Sequence, residues 1–382
     1  MHTMAPALEQ SNLTIRASQY RDLEAIARLF AQEQADQPHP AQNLQRWYGL
    51  LKSLSWFPNP LQNLFRTYVA ENDAICGAIH VSPFNSTHST WRVDRVAVAE
   101  DQSPAEVGTQ LLRHCLQTIW QARTWLTEVN VNDASALALY RQNGFQPLAH
   151  MTYWTIAPEL LQTLAEREPD LPNLMPVSNA DACLLHQLDT VSMPPLVRQV
   201  FDRQIADFKT NLFQATTGSV NRWANRREVV CRYVFEPQRK AAIGYFKLHL
   251  NRKGDRPHTA DLTVHPAYTW LYPELLTQMG RMVQGFPTQA IQLASSDYQP
   301  EREEYLEQFG ATRTEHTLMM SRSVWHKLRE SKPVSLEGLQ LAEMLQGLQP
   351  ARKPIPSRFT LLDSMQPPKP EAPKSDEQPP AS

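Results

Sequence analysis

Long apolar runs are missing from this sequence, and so are paired cysteines. No stretch approaches the ~18 consecutive apolar residues of a membrane-spanning helix, and the N-terminus has no apolar core of the secretory kind. The four cysteines, Cys76, Cys115, Cys183 and Cys231, stand far apart without Cys-x-x-Cys spacing, so neither a metal site nor a redox pair is expected. Cys76 and Cys231 sit in apolar surroundings (Ala-Ile-Cys-Gly-Ala and Val-Val-Cys-Arg-Tyr), as small buried core residues do. Nothing calls for disulfides, and a cytoplasmic protein is expected. Excess charge is missing too: 37 Lys+Arg against 39 Asp+Glu leave a net charge of −2. Without a strong field, and without aromatics interleaved with basic runs, neither nucleic acid nor a membrane is an expected partner. What is present, 42% hydrophobic and 20% charged residues in 382, suits a soluble protein with room for two cores.

Hydrophobic periodicity places the elements. Leu13–Arg16 reads as a strand. Tyr20–Gln34 is an amphipathic helix with Leu23, Ile26, Ala27 and Phe30 on one face. Arg66–Glu71 and Ala74–Ser82 are two apolar runs joined through Asn72-Asp73, a hairpin signal. A strand Trp91–Ala99, helix Ala105–Ala122, strand Trp125–Val131, helix Ala134–Asn143 and strand His150–Ile156 complete a mixed α/β domain, with a mostly antiparallel sheet flanked by helices.

After the proline-bearing linker Arg167–Asn173 the pattern restarts. Leu174–Val177 and Asp181–Leu188 echo the opening strand and helix, and Glu228–Phe235 with Ala242–Leu250 echo the hairpin. Val98 to Val264 and Gly144 to Gly310 are equally spaced, as two tandem copies of one domain require. The expected organisation is a disordered leader (1–11), a first domain (12–165), a linker (166–173), a worn second copy (174–330), and a helix (Ser335–Leu348) followed by a proline-rich disordered tail (331–382 in all). Within that tail Phe359–Met365 is an apolar island.

The chemistry gathers in Val93–Leu112, a strand running through a turn into a helix, whose first N–H groups and dipole suit an anion such as a diphosphate. Gly108 at the helix start would let backbone approach phosphate closely. Thr127–Asp133 then leads into Ala136-Leu-Ala-Leu-Tyr140 and Gly144-Phe145. This resembles the closing motif of the GNAT acetyltransferases, Asn-x-x-Ala-x-x-Leu-Tyr-x-x-x-Gly-Phe, with Ala136, Leu139, Tyr140, Gly144 and Phe145 matching in type and spacing. The resemblance covers Leu13 to Tyr153. It implies the GNAT fold and an acetyl-CoA-dependent N-acyltransferase that moves an acyl group to a primary amine by direct attack. The acceptor would be a small molecule or a peptide.

By the same resemblance, the backbone of Val96, Ala97 and Val98 would hold the pantetheine arm. Ser103, Val107, Gly108 and Thr109, with Asn132 and Asp133, would contact the rest of the cofactor. Tyr140 would protonate the leaving thiolate, and Asp94 or Glu128 would take the amine's proton. His80 and His88 are further candidates for the acceptor cleft, whose far wall falls in Pro38–Pro60. The sequence departs from the family at the diphosphate turn. Pro104 removes an N–H donor, Glu106 brings a carboxylate, and of the usual glycines Gly108 remains. A catalytically inactive module that binds CoA or a protein partner is therefore the alternative. In the second copy the matching turn, His265–Glu274, has no glycine, and Trp270 and Tyr272 would fill the diphosphate's space.

Overall fold

In the first half, a strand Thr14–Ala17 (β1) and helix Leu23–Glu33 (α1) lead to strands Arg66–Asn72 (β2), Ala74–Pro83 (β3) and Thr90–Val98 (β4). Helix Pro104–Thr118 (α2), strand Thr124–Asn130 (β5), helix Ala134–Gln142 (α3) and strand Gln146–Ile156 (β6) follow, then a helix at Pro158–Ala165 (α4). The second half repeats the order with Leu174–Pro176 (β7), Ala182–Ser192 (α5), Pro195–Phe201 (α6), Arg227–Glu236 (β8), Ala241–Asn251 (β9) and His258–Val264 (β10). It closes with Leu271–Val283 (α7), Ile291–Ser296 (β11), Pro300–Gln308 (α8) and Thr312–Ser323 (β12). These elements come from a computed structural model that describes residues 13–33, 66–209 and 227–324, all within the unit Met1–His326. The leader 1–11, the Pro38–Pro60 stretch, Ser335–Leu348 and the island Phe359–Met365 lie outside the described residues.

The hairpin signal at Asn72-Asp73 is met by Asp73 at φ 60°, the left-handed conformation a tight turn demands. Helix α2 differs from its expected extent. It ends at Thr118 instead of Ala122, because a turn closed by Ala122 N–H to Ile119 O folds both residues into the core. No element is expected from the sequence for α4, α6, α7, β11 or β12.

The strands join in one sheet ordered β1-β2-β3-β4-β5-β12-β6-β11-β10-β9-β8-β7. Neighbours are antiparallel except β4–β5 and β10–β11. The order exposes an exchange. The last strand of each half pairs within the other half: β12 lies against β5 from Thr317↔Asn130 to Ser323↔Thr124, and β6 lies against β11 from Ile291↔Ile156 to Ser296↔Met151. The two exchanged strands pair with each other at the centre. One face of the sheet packs on α2 and α3 through Trp91, Trp125, Leu111, Leu112 and Phe145, and on α4, α7 and α8 through Trp154, Phe246 and Leu275. The other face carries α1 over Val69, Ala78 and Ala97, α6 over Leu126 and Met319, and α5 over Tyr233 and Ala242.

Candidate active site

Two backbone irregularities in β4 shape the site. Val81 pairs with Val93 and His80 with Arg95, so Asp94 is the extra residue of a β-bulge. Pairing with β5 then stops: Thr90–Arg92 match Thr124–Leu126, and beyond them the strands splay. At the root of this fork Thr127 Oγ1 donates to Val93 O at 3.4 Å. Val96, Ala97 and Val98 follow on the splayed part of β4, with the first and last packed towards the α2 face and Ala97 under α1. An extended ligand can add to such an unpaired strand side by main-chain hydrogen bonds.

Alternation with Val93 puts Asp94 on the face that carries α1 and α6, and the bulge brings Arg95 onto that face beside it. Its Oδ1 accepts from Arg92 Nε at 2.5 Å, while Oδ2 lies 4.0 Å from His80 Nε2. That Oδ2 atom is buried and has no hydrogen-bond partner among the described residues. His80, 8% exposed on β3, meets Thr67 Oγ1 through Nδ1 at 2.8 Å. Burial pushes its pKa below the ordinary histidine value, against the smaller opposing pull of Asp94. It is therefore neutral at pH 7 and able to accept a proton. Arg95, beside the bulge, lies over the Phe30 ring of α1 at 5.1 Å.

Glu128 projects from β5 on the same face. Its Oε1 accepts from Tyr153 Oη at 2.6 Å and from Thr317 Oγ1. Tyr153 comes from β6 and Thr317 from β12, so both donors stand on exchanged strands. Burial and the neighbouring Glu128 drive the Tyr153 pKa up, which keeps the phenol protonated and donating. Neither residue is marked by a local sequence signal. Tyr153 carries no motif, and Thr317 is 189 residues from Glu128 in sequence.

Tyr140 lies on the opposite face. It is 6% exposed within the α2–α3 core, its ring edge-on to Phe145 at 5.2 Å. Asp133 caps α3, accepting from Ala136 N at 2.9 Å and from Ser135 Oγ at 3.0 Å, and Asn132 N donates to Asn130 Oδ1. At the start of α2, Pro104 has no N–H, Ser103 Oγ accepts from Glu106 N at 3.4 Å, and Val107 N makes the first helical bond to Ser103 O. Few main-chain donors of this turn are left for a phosphate. Gly108 is buried and faces Leu139, whose Cδ2 would lie 2.9 Å from a Cβ placed there. Its missing side chain lets α2 and α3 pack closely. Thr109 Oγ1 accepts from Asn143 Nδ2 at 3.0 Å, a second tie between these helices. His88 stands apart in the β3–β4 turn, its carbonyl accepting from Trp91 Nε1.

The second half also supports the β3–β4 loop. Asn85 Nδ2 donates to the carbonyls of Phe201 and Asp202, Thr90 Oγ1 to Val200 O, and Ser89 Oγ to Asp202 Oδ2 at 2.5 Å. Arg203, paired with buried Asp189 at 2.9 Å, lies over the rings of both Phe84 and Phe201.

These features agree with comparisons to known proteins. Residues 63–147 match the profile of the Acetyltransferase (GNAT) domain. Among solved structures, a tandem GNAT protein from the clavulanic acid biosynthesis pathway, determined without AcCoA, superposes with a TM-score of 0.54 at 14% identity, covering 83% of this chain and 100% of that one. A GCN5-related N-acetyltransferase from Sphaerobacter thermophilus gives a TM-score of 0.51 at 15% identity, over 83% of this chain and 97% of that one. No curated protein matches in sequence. The chain has the GNAT fold, and its residues 63–147 match the GNAT acetyltransferase domain.

Proposed function

We propose that the chain transfers the acyl group of acetyl-CoA to a primary amine at the first fork. The observation that carries this reading is the bulge at Asp94, which sets a buried carboxylate oxygen 4.0 Å from His80 beside a strand edge left unpaired by β5. In this reading the pantetheine arm is a substrate segment held by the backbone of Val96–Val98. Asp94, with neutral His80 behind it, takes the proton of the acceptor's ammonium group, and the freed amine attacks the thioester carbonyl. Glu128 holds the acceptor. As the carbon–sulfur bond breaks, Tyr140 gives the thiolate its proton, and the second proton that the nitrogen sheds on becoming an amide returns through solvent to the tyrosinate. No covalent enzyme intermediate is needed.

The start of α2 favours a second reading, a module without turnover that binds a protein partner, or CoA without using this turn. Pro104 and the Ser103 cap withdraw donors that a diphosphate uses. Calorimetric titration with acetyl-CoA, followed by a thiol-release assay across a panel of primary amines, separates the two. The enzyme reading expects binding and, with at least one amine, turnover that Asp94→Asn lowers by about 10²–10⁴-fold while binding persists. Binding without turnover on any amine would favour a CoA-binding module, and absence of binding would end the enzyme reading and leave a module for a protein partner. Among the described residues no helix is long and apolar enough to cross a membrane.

A further inference from the structure

The sheet contains a second fork. Strands β10 and β11 pair in parallel over His258–Ala260 and Ile291–Leu293 and then splay, as β4 and β5 do after their own three pairs. The two forks are occupied differently. Arg302, on α8 and 6% exposed, sends its guanidinium into the second one. Nη2 donates to Leu262 O on β10 at 2.7 Å, and Nη1 donates to Ala294 O on β11 at 3.0 Å. The Tyr272 ring of α7 lies 5.7 Å from its Cζ. A planar cation with several donors is thus fixed as a rung between two splayed strands, bonded to the main-chain carbonyls that their separation strands.

Among the described residues the first fork has no arginine rung of this kind; at its root Thr127 Oγ1 reaches Val93 O. Gly144 and Gly310, at φ 77° and 87°, close α3 and α8 and set the register between the halves. Arg302 stands eight residues before Gly310, and the residue eight before Gly144 is Ala136, whose methyl cannot reach across a fork. In the same register Tyr140 corresponds to Leu306, fully buried and without a hydroxyl. The occupied second fork therefore offers no space for an extended arm, and the position matching Tyr140 carries no hydroxyl there. Of the two aromatic residues expected to fill the diphosphate's space, Trp270 is 49% exposed, whereas Tyr272 is buried beside the Arg302 guanidinium.

We propose that Arg302 is a built-in occupant of the second fork, so that one chain takes the pantetheine arm of an acyl-CoA at the first fork alone. This rests on the acyl-CoA reading of the first fork, but Arg302 can be tested without it. The full chain, isotopically labelled, is titrated with acetyl-CoA and separately with pantetheine, and backbone amide shifts are followed at Val96–Val98 and at Leu262–Val264. The wild type should shift at Val96–Val98 and stay still at Leu262–Val264, with one acetyl-CoA bound per chain. In Arg302→Ala, pantetheine should produce new shifts at Leu262–Val264 while those at Val96–Val98 are unchanged. Should the alanine variant not fold, Arg302→Gln, which keeps the stem but spans one carbonyl at most, takes its place with the same expectation. Wild-type shifts at Leu262–Val264, or two molecules bound per chain, would overturn the proposal. So would a folded variant in which pantetheine leaves Leu262–Val264 still. If pantetheine moves the second fork of the variant while neither ligand moves the first fork, the plug stands and the acyl-CoA reading of the first fork fails.

Discussion

Tyr140 and Asp94 belong to opposite faces of the sheet, one in the α2–α3 core and the other in the polar strip between α1 and α6. The two roles proposed for them, acid for the thiolate and base for the amine, are thereby kept apart. Tyr140→Phe should leave acetyl-CoA affinity unchanged and lower turnover by about 10²–10⁴-fold. Its ring packing on Phe145 persists, so thermal unfolding should shift by no more than about 1 kcal/mol. Wild-type turnover in that variant would remove the residue from the mechanism. His80 gives a pH prediction. Burial lowers its folded pKa below 6.5, so between the folded and unfolded values the unfolded chain binds more protons. Stability is then fully present above about pH 6.5 and falls as the pH drops towards the folded pKa. His114, His258 and His265 are shifted the same way by burial and add to the loss, whereas Asp189, raised by burial, opposes it at lower pH. Melting temperatures measured from pH 7.5 to 5 should decline, with a shallower slope in His80→Gln. An equal slope in that variant would place the pH sensitivity elsewhere.

At the scale of elements, α2 serves two purposes that pull its first turn in different directions. Ser103 and Pro104 start the helix well, and in doing so reduce the donors available to an anion. Pro104→Ala restores one N–H at the helix start and should tighten acetyl-CoA binding by about 3–10-fold, the worth of one further hydrogen bond. Titration calorimetry reads this directly, and unchanged affinity would show that the diphosphate lies away from α2. Gly108, one turn further on, is set by packing. Gly108→Val would drive its side chain into Leu139 and separate α2 from α3, costing about 1–3 kcal/mol in denaturant unfolding.

For the whole molecule the exchange of β6 and β12 decides what the halves can do alone. A fragment ending near Arg167 leaves β5 without β12 and Glu128 without Thr317. A fragment starting near Leu174 leaves β11 without β6. Each fragment exposes a central strand edge and should aggregate or stay largely unfolded, whereas the two co-expressed should assemble and recover the wild-type circular dichroism spectrum. Size-exclusion chromatography of the separate fragments checks this. Two well-folded monomers would mean that each last strand can return to its own half.

The elements themselves were readable because their signals are local. The 3.6-residue spacing of Leu23, Ile26 and Phe30 specifies α1, Asn72-Asp73 specifies the β2–β3 turn, and equal spacing of the paired glycines reveals the repeat. The Ala136-x-x-Leu139-Tyr140-x-x-x-Gly144-Phe145 frame carried the family. Asp94 and Glu128 are named by the family resemblance, but nothing local in the sequence shows that one sits on a bulge or that the other is held by Tyr153 and Thr317. Gly108 read as a phosphate neighbour because a glycine at a helix start serves either purpose, and only the position of Leu139 distinguishes them. Arg302 read as one more charged residue on a polar helix, because its function depends on two strands that splay beneath it. Periodicity, caps and turns act over a few residues and are written in the chain. Strand exchange, the Glu128 cluster and the plugged fork join residues distant in the chain, such as Glu128 and Thr317, 189 positions apart, and Arg302 and Leu262, 40 apart, and only the folded sheet brings them together.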